Sequence, residues 1–260
     1  MERFLRYYSE STTLFGGKYM PVTDSISFLN APLDDIVESF DTWRYPEVVH
    51  EMSVIELQGS FEDFLKGLEP LGAHPEYLLV ATSNQEWTAV LSNYCFGGAQ
   101  DRIAHRIGYM LGITSIDVFL SWPPPKMRKK PLDRFGVSVQ ENIPDGTFPI
   151  PHRYVATLEN WYPKAGEFDV YRHYRSVETI RSLRQTDASN EPLDRFNPSD
   201  LLTYCRNLGI EPFREDFYLD RCYRILDEHL MDPFKQETKY STYTAVQNFL
   251  GLRSLHGETD

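Results

Sequence analysis

The sequence predicts an α+β protein: a mixed or mainly antiparallel central sheet with flanking helices and a helical C-terminal portion. Three observations carry that expectation. Apolar residues recur at helical spacing in some segments and alternate with a period of two in others. Two β-rich runs, Tyr77–Ser83 and Glu86–Tyr94, are separated only by Asn84-Gln85, a spacing that suits a hairpin and so an antiparallel pair. Asn197-Pro198-Ser199-Asp200 is a strong helix start in the last third of the chain.

The elements follow in order. Asn30-Ala31-Pro32 supplies a cap and an early proline before Leu33, Ile36, Val37 and Phe40, an apolar stripe at helical spacing. The outward face of that helix carries Asp34, Asp35, Glu38 and Asp41. Alternation from Val48 to Ile55 predicts a strand, and Ser60-Phe61-Glu62-Asp63 opens another capped helix, through about Leu71. After the hairpin and Gly97-Gly98, the stretch Ala99–Leu111 puts Ile103, Ile107, Met110 and Leu111 on one helical face, with Gly112 as its stop. Ile113–Trp122 reads as a strand, as do Phe135–Gln140, Arg153–Trp161 and Val170–Val177. The helix from Pro198 places Leu201, Leu202, Cys205 and Leu208 inward and closes at Gly209, and Asp216–Met231 reads as a further helix.

Residues 1–122 form an acidic α/β portion, 123–131 an exposed Pro- and Lys-rich loop, and 132–260 a β-rich and then helical portion, read as one continuous domain with the first. The loop follows from Pro123-Pro124-Pro125 and Pro131, which remove backbone donors, and from four basic residues among 126–130. At 260 residues the chain is long enough for a sizeable core.

The net charge is −12, and it is unevenly spread. Residues 1–122 hold 17 acidic and 7 basic side chains, the remainder 21 and 19. An acidic N-terminal half repels phosphates, which disfavours direct nucleic-acid binding and steers basic protein partners toward it. Apolar runs such as Tyr77-Leu78-Leu79-Val80-Ala81 are far short of the ~18 residues of a membrane span. The N-terminal residues Met1–Tyr8 have no apolar core of a secretory signal, and a cytoplasmic location is expected. Cys95, Cys205 and Cys222 are odd in number and widely spaced, which suits core thiols and not a disulfide framework.

Candidate chemistry is sparse. No catalytic nucleophile has a sequence signature, and the seven histidines form no HxxH, HxH or HExxH spacing, so neither a metal nor a cofactor is expected. His229 and Asp232 share a helical face, but two ligands do not make a site. Arg102, His105, Arg106 and Tyr109 fall at i, i+3, i+4 and i+7, one polar stripe whose guanidiniums, imidazole and phenol suit a phosphate or carboxylate. The same pattern describes the solvated face of any amphipathic helix. Arg172, Arg175, Arg181 and Arg184, interleaved with Tyr171, His173 and Tyr174, form a second basic-aromatic segment, and as a strand it would send Arg172 and Arg175 to opposite faces.

Trp87-Thr88-Ala89-Val90-Leu91-Ser92-Asn93, Gly97-Gly98, the helix to Leu111-Gly112 and the strand Ile116–Leu120 look like bacterial proteins of unassigned activity. Asn207–Phe213 followed by Asp216-Phe217-Tyr218 adds to that resemblance. In size, acidity and absence of catalytic signatures the chain is similar to immunity proteins of bacterial polymorphic toxin systems, a similarity of type and not of motif. It implies a non-catalytic protein that covers a basic toxin domain, with Asp34, Asp35, Glu38 and Asp41 as interface candidates. The alternative is an enzyme or ligand sensor that binds a phosphorylated or carboxylated small molecule through Arg102, His105, Arg106 and Tyr109.

Overall fold

A computed structural model describes residues 13–42, 52–72, 76–94, 99–121, 134–141, 153–161, 198–227 and 242–250. Its strands are β1 Ser25–Leu29, β2 Met52–Gln58, β3 Glu76–Thr82, β4 Thr88–Ser92, β5 Thr114–Ser121, β6 Arg134–Glu141, β7 Arg153–Trp161 and β8 Tyr218–Asp227. The helices are α1 Leu33–Thr42, α2 Phe61–Lys66, α3 Ala99–Leu111, α4 Pro198–Asn207 and α5 Tyr243–Leu250. Short 3-10 turns at Leu14–Gly17, Val22–Asp24 and Glu215–Phe217 complete the described elements.

The strands form one sheet in the order β2-β8-β3-β4-β1-β5-β6-β7, and each neighbouring pair runs antiparallel. The fold is therefore α+β with an antiparallel sheet. Strands on either side of segment 123–131 share the sheet, since β5 pairs with β6 in register from Thr114↔Glu141 to Ser121↔Arg134.

Alternation along the central strands divides the core in two. On one face Leu29, Tyr77, Leu79, Val90 and Ile225 pack beneath α1 and α3, which contribute Leu33, Ile36, Ile103, Ala104 and Ile107. On the other face Ile26, Phe28, Leu78, Val80, Leu91 and Cys222 meet α2, α4, α5 and the 3-10 turns. There the Phe61 and Tyr218 rings stack with centroids 4.0 Å apart. Each fully buried Leu, Ile or Phe contributes about 1.5–3 kcal/mol of transfer free energy, and β3 and β4 are buried on both sides.

Two boundaries differ from the sequence reading for local reasons. The second strand of the hairpin begins at Thr88 and not at Glu86. The Thr82 hydroxyl lies 2.8 and 2.7 Å from the carbonyl oxygens of Asn84 and Trp87, between which its single proton is shared, and holds the intervening residues as a turn. Helix α2 starts where expected, with the Ser60 hydroxyl accepting from the Asp63 amide at 3.2 Å, but closes at Lys66. Gly67 and Pro70 follow, and neither sustains a helix, although Leu68 and Leu71 remain buried in the turns beyond it. Of the strand expected from Val48 to Ile55, residues 48–51 lie outside the described residues and Met52 onward is β2.

The larger correction concerns Asp216–Met231, which the sequence reading took as a helix. Tyr218–Asp227 is strand β8, inserted between β2 and β3. Arg221, Tyr223 and Ile225 project to the α1 side, and Cys222 to the other, the period-two pattern of a strand. Two flanking strands satisfy the backbone of this segment, and that pairing outweighs its weak helical spacing. Helix α4 matches its expected start and inward residues Leu201 and Cys205. Its stop, Gly209, has a φ of 78°, and a Cβ there would stand 2.6 Å from Asn84 Nδ2. That same Asn84 nitrogen donates to the Gly209 carbonyl at 2.9 Å, which joins the hairpin turn to the helix end. The strand expected at Val170–Val177 lies outside the described residues. Among the described residues no helix is long and apolar enough to cross a membrane.

Candidate functional site

Helix α1 has the acidic face that its sequence implies. Leu33 and Ile36 are buried against the sheet, so Asp34, Asp35 and Glu38 are turned outward and exposed. The side chain of Asp41, in the last turn, lies outside the described residues. Asp34 is held from beneath by Arg221 of β8, whose Nη1 and Nη2 donate to the two carboxylate oxygens at 2.9 and 2.7 Å. The same guanidinium donates through Nε to Glu56 of β2 at 2.8 Å and through Nη2 to the Tyr223 hydroxyl at 2.9 Å. Its carbon stands 5.4 Å from the centre of the Tyr223 ring. A planar, bidentate and stacked cation of this kind fixes geometry in a way a lysine does not. The two carboxylates, Asp34 first, raise the Arg221 pKa further above its already high ordinary value. One cation thus ties α1 to the outer strands and leaves Asp35 and Glu38 as the outward charges.

The stripe on α3 is divided by the fold. His105 turns toward the sheet, where its Nε2 lies 2.6 Å from Asp117 Oδ2 of β5. Arg106 is exposed, Tyr109 is half-buried, and the side chain of Arg102 lies outside the described residues. Asp117 occupies a register position opposite Ser27 of β1, and the Ser27 hydroxyl donates to Asp117 Oδ1 at 2.5 Å. The His105 and Asp117 side chains are 14% and 9% exposed. A carboxylate so far from water requires donors on both oxygens, and the imidazole and the hydroxyl supply them. Ser27 is fully buried and its proton is committed to the carboxylate, so it is not placed as a nucleophile. What the arrangement does chemically is to orient the His105 ring and hold a polar link between α3, β5 and β1.

Sequence reasoning singled out His105 but not Asp117 or Ser27, which stand 12 residues from His105 and 90 residues from Asp117 respectively. A signal was present: Asp117 is an acid inside the apolar run Ile113–Trp122, and such a residue needs a partner. The identity of the partner depends on which helix crosses the strand.

The opposite face holds two further buried carboxyls. Glu76 of β3 pairs with Arg224 of β8, and its backbone amide donates to Asn93 Oδ1 at 3.2 Å. Asp24 sits in the turn before β1, and its burial raises its carboxyl well above the ordinary value of 3.8. Cys205 and Cys222 are buried free thiols, and burial pushes the Cys222 pKa up to about 12, which makes it inert. Among the described residues no three His, Cys, Asp or Glu side chains converge as metal ligands. His229, Asp232 and Cys95, the Lys126–Lys130 loop and the arginines from Arg172 to Arg184 lie outside the described residues. No family model, no curated protein and no solved structure matches the chain.

Proposed function

We propose that the chain is a non-catalytic bacterial binding protein of the cytoplasm, an immunity protein that neutralises a cognate toxin by covering its basic active or substrate-binding surface. The observation that carries this reading is the acidic face of α1: Asp35 and Glu38 face solvent beside Asp34, which Arg221 holds. An acidic surface accelerates encounter with a basic partner. The division of the α3 stripe gives the small-molecule alternative less support, because His105 is turned toward Asp117 while Arg106 faces outward.

The test is co-expression with a secreted modular toxin encoded beside this chain. The native protein is expected to suppress toxicity. Reversal of Asp34, Asp35, Glu38 and Asp41 to lysine is expected to restore toxicity, slow association by roughly 10-fold or more and flatten its salt dependence. Unchanged association in the reversed variant removes α1 from the interface. A thermal-shift panel of nucleotides, sugar phosphates and dicarboxylates checks the alternative: a stabilisation abolished by Arg102→Ala and Arg106→Ala establishes a ligand site and overturns the binding-protein reading.

A further inference from the structure

Among the described strands, β2 ends one side of the sheet. Seven consecutive residues, Met52 to Gln58, pair with β8 from Asp227 to Arg221 without a register shift. Among the described residues β2 has no neighbour on its other side. Outer strands are ordinarily guarded by lysine, proline, a bulge or a covering element, because their unpaired amides and carbonyls template another strand. Met52–Gln58 contains no lysine and no proline, its one charged residue is Glu56, which Arg221 engages, and its pairing is unbroken.

Side-chain exposure marks the same strand. Val54 and Ile55 are 37% and 44% exposed, two of the three exposed large apolar residues among those described. They are consecutive, so they point to opposite faces of the sheet. An ordinary solvent-facing strand exposes apolar groups on neither face, whereas a strand lacking its lateral neighbour exposes them on both. One strand inward, Ile225, the partner of Val54, is fully buried.

We infer that β2 accepts an extended strand from a protein partner, and that this strand alternates basic and apolar residues. This deepens the protein-partner reading above and rests on it. Val54, Glu56 and Gln58 share the face that carries α1; Arg221 offsets one of the two charges of Asp34 and Glu56 there, and the exposed Asp35 and Glu38 leave that face acidic, so the added strand presents its lysines or arginines on that side. Its apolar residues meet Ile55 and Leu57 on the other face. A second copy of this chain is a poorer occupant: continuous antiparallel pairing of β2 with β2 brings two Glu56 residues and two acidic α1 faces to the same side of the sheet.

The experiment uses the full chain and a fluorescent ten-residue peptide alternating lysine and valine, read by anisotropy and by hydrogen exchange. The comparison peptides alternate glutamate and valine, or carry prolines at two central valines of the lysine peptide. The lysine–valine peptide is expected to bind, to slow exchange of amides within Met52–Gln58, and to bind at least ~10-fold more weakly to Ile55→Lys, because an inserted charge is what natural edges use against pairing. The other two peptides are expected to bind at least ~10-fold more weakly to the native chain. Val54→Lys repeats the measurement should Ile55→Lys fail to fold. Equal binding of the proline-bearing peptide, no binding of the lysine–valine peptide, or binding unaltered by either lysine substitution overturns the inference. If that happens while charge reversal on α1 still abolishes toxin neutralisation, the strand-pairing proposal falls and the immunity reading stands. If the peptide pairs with β2 while charge reversal leaves neutralisation intact, the strand proposal stands and α1 is excluded from the interface.

Discussion

At the scale of single residues, the buried carboxyls behave in opposite ways according to what surrounds them. Asp117 is satisfied on both oxygens by Ser27 and His105, so its removal strands two buried polar groups. Asp117→Ala is expected to cost about 2–4 kcal/mol in urea unfolding. A loss under about 0.5 kcal/mol would mean that the pair contributes nothing to stability. Asp24 has desolvation as the cause of its shift, and its folded pKa is raised. Below the ordinary value of 3.8 the carboxyl is protonated in both states and its contribution is complete. As the pH rises toward the raised folded value, the unfolded chain loses its proton first, and stability declines. Asp24→Asn, a neutral mimic, is therefore expected to melt near the native temperature at about pH 3 and above it at about pH 8. A constant difference across that range would show that Asp24 ionisation does not couple to folding. Glu62 has the opposite sign: the Tyr19 hydroxyl, and then Lys18, lower its pKa to about 2, so its contribution is present above 4.5 and is lost in acid.

At the scale of elements, long-range hydrogen bonds decide where short helices dock. The Gln247 side-chain amide on α5 donates to the carbonyls of Lys18 and Met20 at 2.7 and 3.0 Å, in a segment that precedes β1 by only a few residues. The same helix is fastened at its other end by the Tyr243 hydroxyl, which donates to the Leu65 carbonyl at 2.8 Å. Gln247→Ala is expected to cost about 1–3 kcal/mol and to raise hydrogen exchange in Leu14–Gly17, while exchange in the central strands rises less. Equal exchange changes everywhere would show that this contact is not a local clasp. None of these partners was legible in the sequence, where Gln247 and Met20 lie 227 residues apart. The starts of α1, α2, α3 and α4 were legible, because caps, prolines and helical spacing act within a few residues. The error at β8 has the same origin: Phe217, Cys222, Ile225 and Leu226 satisfy a loose helical spacing, and only the two strands beside them reveal the other period.

Across the whole molecule, β8 is the element that unites the ends of the sequence. It reaches the sheet after more than half of the chain has intervened, yet it lies between β2 and β3, which belong to the first hundred residues. Its arginines work on opposite faces: Arg221 fixes α1 and β2, and Arg224 pairs with the buried Glu76. The acidic face of α1 and strand β2, outermost among the described strands on its side of the sheet, are therefore joined by the Arg221 link between Asp34 and Glu56. The sequence by itself determined the α+β class, the helix starts, the hairpin and the concentration of negative charge before residue 123, because each depends on short-range periodicity or on counting. Only the tertiary structure decided that Asp117 and Ser27 accompany His105, that β8 is a strand and that β2 lies outermost, because each depends on residues far apart in the chain finding a common place in the sheet.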